Sequence, residues 1–273
     1  HGSVYLFNAE EQVIDSIHYG FQVANTSIGQ DKNGDWELLT SPTPGKANAL
    51  PRLTATASNV VINEWSTGGR GDDWIELYNP NPLPVDLGGN HLTDDLSSIG
   101  RTKFEIPPLN FISPGGFVKW IADGDLSKGG DHLNFSLADL GEQVALYSRS
   151  KTLIEKVQTG QTEPGESEGR LPDGSSTIVA FTDTPTPGRS NYKPIESVVI
   201  NEVLTHTDPP YEDAIELRNL GEEPLDIGKW WLSNSRSKLR KYQIPAGTTL
   251  PARGTTVFYE HQFNPAPGAD LSF

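Results

Sequence analysis

Paired carboxylates are the first residues in this chain with the makings of chemistry. Glu64 closes the string Val60-Val61-Ile62-Asn63-Glu64, and Glu76 sits inside Asp73-Trp74-Ile75-Glu76-Leu77. Both strings read as short neighbouring strands, and two carboxyl groups held that way can divide general acid and general base work. The same residue types return later: Asn63, Glu64, Glu76, Asn79 and Asp86 recur as Asn201, Glu202, Glu216, Asn219 and Asp226. Recurrence favours a structural duty, because every copy of a fold must satisfy its own turns and strand edges. No catalytic residue is therefore assigned.

A second cluster lies at 123–131, where Asp123, Asp125 and Asp131 fall in one Gly-rich loop. Hard cations take such oxygen sets, so these three aspartates are the candidate metal ligands and calcium the candidate ion. The loop lacks the acidic spacing and closing Glu of an EF-hand. Its counterpart at 261–270 holds one aspartate and two prolines, so a calcium site there is particular to one copy. No other cofactor is expected. Arg70-Gly71-Asp72 spells an adhesion tripeptide, at a length that chance often supplies. The histidines show no H-E-x-x-H spacing, and there is no nucleophile elbow or Walker loop. Cysteine is absent, which removes thiol nucleophiles, disulfides and cysteine-ligated metals. The tryptophans at 65, 74, 120, 230 and 231 read as core or edge cover, and one of the adjacent pair Trp230-Trp231 is expected at the surface, since neighbouring strand residues face opposite ways.

The elements that must position these residues come in copies. "SNVVINE" at 58–64 returns as "ESVVINE" at 196–202, "DWIELYN" at 73–79 as "DAIELRN" at 213–219, and "FEIP" at 104–107 as "YQIP" at 242–245. The front of the chain matches the rear of the middle copy: "GSVYLFN" at 2–8 resembles "GEQVALYS" at 141–148, and "PTPGKAN" at 42–48 resembles "PTPGRSN" at 185–191. The expected organisation is a rear half unit at 1–49, a linker at 50–57, a complete unit at 58–192, a linker at 193–195 and a front half unit at 196–273. The 27 glycines and 21 prolines, scattered between short runs rich in Val, Ile and aromatics, predict an all-β sandwich. With 21 Lys and Arg against 36 Asp and Glu, the net charge of −15 argues against nucleic acid as a partner. No apolar run reaches about 18 residues, so membrane insertion is not expected. The chain has no methionine, so residue 1 is not expected to be a translation start, and a larger parent protein is expected.

The ordered set "VVINE", "DWIELYN", "VDLGG", "FEIPPLNFISPGGFVKWIADGD", "LNFSL", "GEQVALYS" and "GRLPDG…PTPG" resembles the lamin tail domain family. The resemblance implies an immunoglobulin-like β-sandwich in tandem repeats, with no family catalytic residues to carry over. The tandem arrangement is similar to bacterial secreted or surface proteins that use such modules. It implies an extracytoplasmic, non-catalytic structural, adhesion or scaffold role, with other modules of the same protein or protein and surface ligands as partners. The alternative is an accessory, substrate-positioning domain of a secreted nuclease, phosphoesterase or polysaccharide-acting hydrolase. The two half units have matching apolar strands to bury, so their pairing within or between chains is a further expectation.

Overall fold

The computed structural model describes residues 1–68, 73–193, 195–235 and 238–265. The chain divides into two compact units, His1–Lys193 and Pro194–Phe273. In the first unit, residues 1–49 form two hairpins. One joins β1 (Gly2–Phe7) to β2 (Val13–Tyr19), the other β3 (Ile28–Gln30) to β4 (Trp36–Leu38). Asx chemistry closes both turns. Asn8 Oδ1 accepts from the backbone N–H of Glu10 and Gln12, and Asp31 Oδ1 accepts from those of Asn33 and Asp35.

The middle of the first unit is a complete sandwich. Its strands are β5 (Val61–Ser66), β6 (Trp74–Tyr78), β7 (Val85–Asp86), β8 (His91–Thr93), β9 (Phe104–Glu105), β10 (Phe111–Ile112), β11 (Phe117–Ile121), β12 (Gln143–Tyr147), β13 (Leu153–Gln158), β14 (Ser167–Arg170) and β15 (Ile178–Phe181). One sheet has the order β11-β6-β5-β14-β15, the facing one β13-β12-β8-β9, and β7 pairs with β10. The pairings are antiparallel. Alternating strand residues send one set inward. Ile62, Trp65, Ile75, Leu77, Leu92, Trp120, Val144 and Leu146 meet in one buried apolar cluster. This is the immunoglobulin-like β-sandwich expected from the sequence.

Residues 1–49 pack on this sandwich. Val23 and Leu38 share a small core with Leu109 and Phe111, and Phe21 stands edge-on to Trp120 at 4.9 Å between centroids. Gln22 Nε2 donates to the Leu109 carbonyl at 2.8 Å. The stretch 50–57, read from sequence as a linker, is tied at both ends: Leu39 bridges Pro51, Ala55 bridges Val85, and Ala57 is buried in the sandwich core.

The second unit carries β16 (Val198–Leu204), β17 (Ala214–Asn219), β18 (Leu225–Asp226), β19 (Trp231–Leu232), β20 (Tyr242–Gln243), β21 (Thr249–Leu250) and β22 (Thr255–Tyr259), then a single helical turn at Glu260–Phe263. These strands answer β5 to β11 one for one in order and pairing. β16-β17-β22 form a sheet, β18 pairs with β21, and β19 with β20. Leu217, Ile227, Ile244, Leu250, Phe258 and Phe263 make its core.

Candidate functional site

The two glutamates flagged by their recurrence come together. In the register of β5 on β6, Ile62 lies opposite Leu77, Glu64 opposite Glu76 and Trp65 opposite Ile75, with a bulge between Ile62 and Glu64. Strict alternation would put Ile62 and Glu64 on one face. The extra residue, Asn63, resets the alternation, so Ile62 and Trp65 both enter the apolar core while Glu64 crosses to the other face beside Glu76. The second unit repeats the device, with its bulge between Ile200 and Glu202 and with Glu202 opposite Glu216.

The face bearing the glutamates is closed by the rear of the same sandwich. Ser167 Oγ donates to Glu64 Oε1 at 2.5 Å, and the Thr186 N–H donates to the same oxygen at 2.9 Å. The Gly188 N–H donates to Glu76 Oε2 at 2.5 Å. Asn63 Nδ2 reaches Asp173 Oδ1 at 3.0 Å and Glu76 Oε1 at 3.4 Å, while its Oδ1 accepts from the Gly174 N–H at 3.0 Å. Asn191 fastens the far end: its Nδ2 donates to the Arg170 carbonyl and its N–H to Asp173 Oδ1. Gly169, on β14 opposite Glu64, leaves no room for a side chain; a Cβ there would lie 2.6 Å from the Asn63 carbonyl oxygen. Both glutamates are fully buried.

Burial sets their protonation. Desolvation pushes Glu76 up to about 8, against the Gly188 N–H that favours its charged form, and the nearby Glu64 carboxyl adds to the rise. Desolvation also raises Glu64, opposed by Ser167 and Thr186. Thr186 Oγ1 lies 3.1 Å from Glu64 Oε2 and 2.7 Å from Asn191 Oδ1, and it has one proton for two acceptors. The Thr186 hydroxyl thereby ties the Glu64 carboxyl to the Asn191 amide. The pair is thus a buried, hydrogen-bonded clasp in which Glu76 holds its proton up to about 8. Two larger clefts lie elsewhere, one of ≈ 610 Å³ between Thr54–Ser58 and Arg149–Ile154 and another of ≈ 980 Å³ beside Tyr19, Trp36 and Leu109, while a small one of ≈ 190 Å³ lies on the outside of the closing loop, against Ser66, Trp74, Glu166, Pro185 and Pro187.

The other recurring polar residues hold turns. Asn79 Nδ2 donates to the carbonyls of Leu83, Ile112 and Ser113, and Asn219 Nδ2 to those of Glu223 and Leu250. Asp86 Oδ1 and Asp226 Oδ1 each accept from the N–H two residues on, at Gly88 and Gly228.

Asp123, Asp125 and Asp131 are not gathered into a ligand set. Asp123 accepts from Lys128 Nζ at 2.7 Å and lies 3.0 Å from His132 Nδ1. The Lys128 ammonium holds the Asp123 carboxyl well below the usual carboxylate range. Asp125 turns to the N–H and hydroxyl of Ser127, and Asp131 faces His1 Nε2 at 3.3 Å. Among the described residues no group of three or more His, Asp or Glu is placed to hold a metal ion. The tripeptide Arg70-Gly71-Asp72 lies outside the described residues. Trp65, Trp74 and Trp120 are buried; Trp230 packs on the second core, and Trp231 is exposed.

Sequence reasoning passed over Ser167, Thr186, Gly188 and Asn191 as partners of the glutamates. The only signal was the repeated "PTPG…N" string, which marks a turn that recurs within the chain but not what it covers. Ser3 Oγ and His18 Nδ1, 2.7 Å apart on the first hairpin, were also unflagged. They are exposed, and among the described residues no carboxylate hydrogen-bonds to His18, so the pair lacks the orienting third group of a catalytic triad.

The pattern of the Lamin Tail Domain family matches residues 54–161 and 192–271, and so falls on both sets of β5-to-β11-type strands. Neither a curated protein nor a solved structure matches the chain. The two matched segments account for well over half of its length, and the chain belongs to the lamin tail domain family.

Proposed function

We propose that this chain is a non-catalytic structural, adhesion or scaffold segment of a larger exported or cell-surface bacterial protein. The observation that carries the reading is the use made of Glu64 and Glu76. These convergent carboxylates, both raised by burial, are covered by the 186–191 loop, and their oxygens are spent on that loop, on Ser167 and on Asn63. A group buried this way holds a fold together and cannot meet a substrate. The exported setting is supported by the tandem arrangement and by the charge of −15, which suits a repelling, soluble surface. Its partners are neighbouring modules and protein or surface ligands.

A broad screen for hydrolase activity tests the catalytic side. No turnover above background is expected, and Glu64→Gln and Glu76→Gln should change none. A hydrolysis that disappears in Glu64→Gln while the variant stays folded overturns the proposal. Fractionation of the source cells tests the location, the expected result being the chain outside the cytoplasm.

A further inference from the structure

The second unit has unpaired edges where the middle sandwich has partners. In the middle sandwich β5 is flanked by β14 and β8 by β12, whereas among the described residues β16 ends its sheet and β19 pairs only with β20. Ile62 and Trp65 are fully buried, but their counterparts Ile200 and Val203 are 63% and 53% exposed. Exposed apolar strand edges invite another strand.

Residues 1–49 carry the missing type of strand in matching detail. The β1–β2 hairpin pairs Val4 with Ile17 and is bulged between Leu6 and Phe7; β12–β13 pairs Val144 with Val157 and is bulged between Leu146 and Tyr147. Val144 and Leu146 are fully buried in the sandwich core, whereas Val4 and Leu6 are 57% and 59% exposed. Asn48 Nδ2 donates to the Gln30 carbonyl at 2.9 Å, as Asn191 Nδ2 does to that of Arg170 at 2.9 Å. The Lys46 N–H donates to Thr43 as that of Arg189 does to Thr186. Ser27, at the position of Ser167, has a buried hydroxyl with no hydrogen-bond partner. In the middle sandwich that hydroxyl serves Glu64, whose counterpart Glu202 is exposed.

We infer that residues 1–49 of one copy dock on β16 and β19 of a second copy, completing a sandwich across the junction. The docking repeats the pairings that close the middle sandwich. β1 adds to β19 with Leu6 opposite Leu232, as Leu146 lies opposite Leu92. β3 adds to β16 with Gly29 opposite Glu202, as Gly169 lies opposite Glu64. Ser27 and the Thr43 N–H then serve Glu202, and the Gly45 N–H serves Glu216. Donor and acceptor are different surfaces of each chain, so the contact is head-to-tail and propagates into open-ended arrays.

Sedimentation velocity on the whole chain, over a wide concentration range, tests this. The average mass should rise with concentration above that of one chain. Leu6→Asp blocks the donor face and Ile200→Asp the acceptor face. Both sites are exposed in the single chain, so its unfolding midpoint should hold. Each variant should self-associate about tenfold or more weakly, because a carboxylate is forced into an apolar seam. Mixed together, they should form a one-to-one dimer, since each keeps the face that the other lacks. A wild-type chain of constant single-chain mass overturns the inference, whether it stays open or closes on itself. So does a variant that associates like wild type, or a mixture that does not pair. Failure here leaves the non-catalytic reading standing, and turnover in the hydrolase screen leaves this one standing.

Discussion

Glu76 is a carboxyl that the fold keeps protonated. It holds its proton up to about 8 in the folded chain, against the ordinary 4.5 of a glutamate once unfolded. Between those values the folded state binds more protons, so stability should fall as pH rises from about 4.5 to about 8 and then level off. Glu64, also raised, acts in the same direction. Thermal unfolding followed across that window checks the slope. Glu76→Gln should remove most of it: below about pH 4.5 the variant should be less stable by about 1–2 kcal/mol, because the new amide must turn an N–H toward either the Gly188 N–H or the Asn63 amide, and that deficit should shrink as pH rises toward 8. Asn191→Ala should cost about 1–3 kcal/mol in denaturant unfolding, since it strands the buried Arg170 carbonyl and removes the acceptor at 2.7 Å from the Thr186 hydroxyl. The sequence marks Glu64 and Glu76 by their recurrence. Their burial was not legible, because it depends on Ser167 and Thr186, which lie more than a hundred positions away and reach them only after the sheets have closed.

The bulge in β5 is the element that sorts polar from apolar. Nothing in the string "VVINE" announces an extra residue, and a plain alternating strand is what the residue types suggest. The strand itself, its partner β6 and the turn at Asn79 were readable, because apolar alternation and Asn-Pro chemistry are local signals. The 50–57 stretch was not. Its Pro and Thr residues read as a linker, while Ala55 and Ala57 are drawn into the sandwich by Val85 and the core. Where β14 meets β5, close approach decides the residue. Gly169→Ala must push the strands apart, since its Cβ would sit 2.6 Å from backbone oxygen. We expect a loss of about 2 kcal/mol or more, with faster hydrogen exchange confined first to β14 and β15. Trp65→Ala should cost about 3–5 kcal/mol, because the ring is fully buried in the cluster between the sheets.

At the scale of the whole molecule, two units with unequal cores share one chain. The middle sandwich buries a cluster spanning both of its sheets, while the second unit buries a smaller one and leaves β16 open on one side. Amide exchange should therefore be faster across β16 and β17 than across β5 and β6, and it should slow for β16 at concentrations where copies associate. Each copy carries a net charge of −15, so head-to-tail association works against long-range repulsion. Added salt should strengthen it until the Debye length falls to a few ångströms, near 1 M, which sedimentation at several ionic strengths will show. The tandem layout was legible from repeated strings alone, whereas the packing of residues 1–49 on Leu109, Phe111 and Trp120 was not, because those contacts join stretches with no sequence likeness.

The clasped carboxyl also makes unfolding an acid-releasing reaction. Near neutral pH the folded chain carries the Glu76 proton, and the unfolded chain, titrating as an ordinary glutamate, gives it up to the solvent. The heat taken up on melting then includes the heat with which the buffer accepts that proton. Calorimetric enthalpies measured in phosphate and in Tris should differ by the difference in their ionisation enthalpies, scaled by the protons released. The amide that Glu76→Gln introduces has no such proton to give, so most of that difference should vanish in the variant.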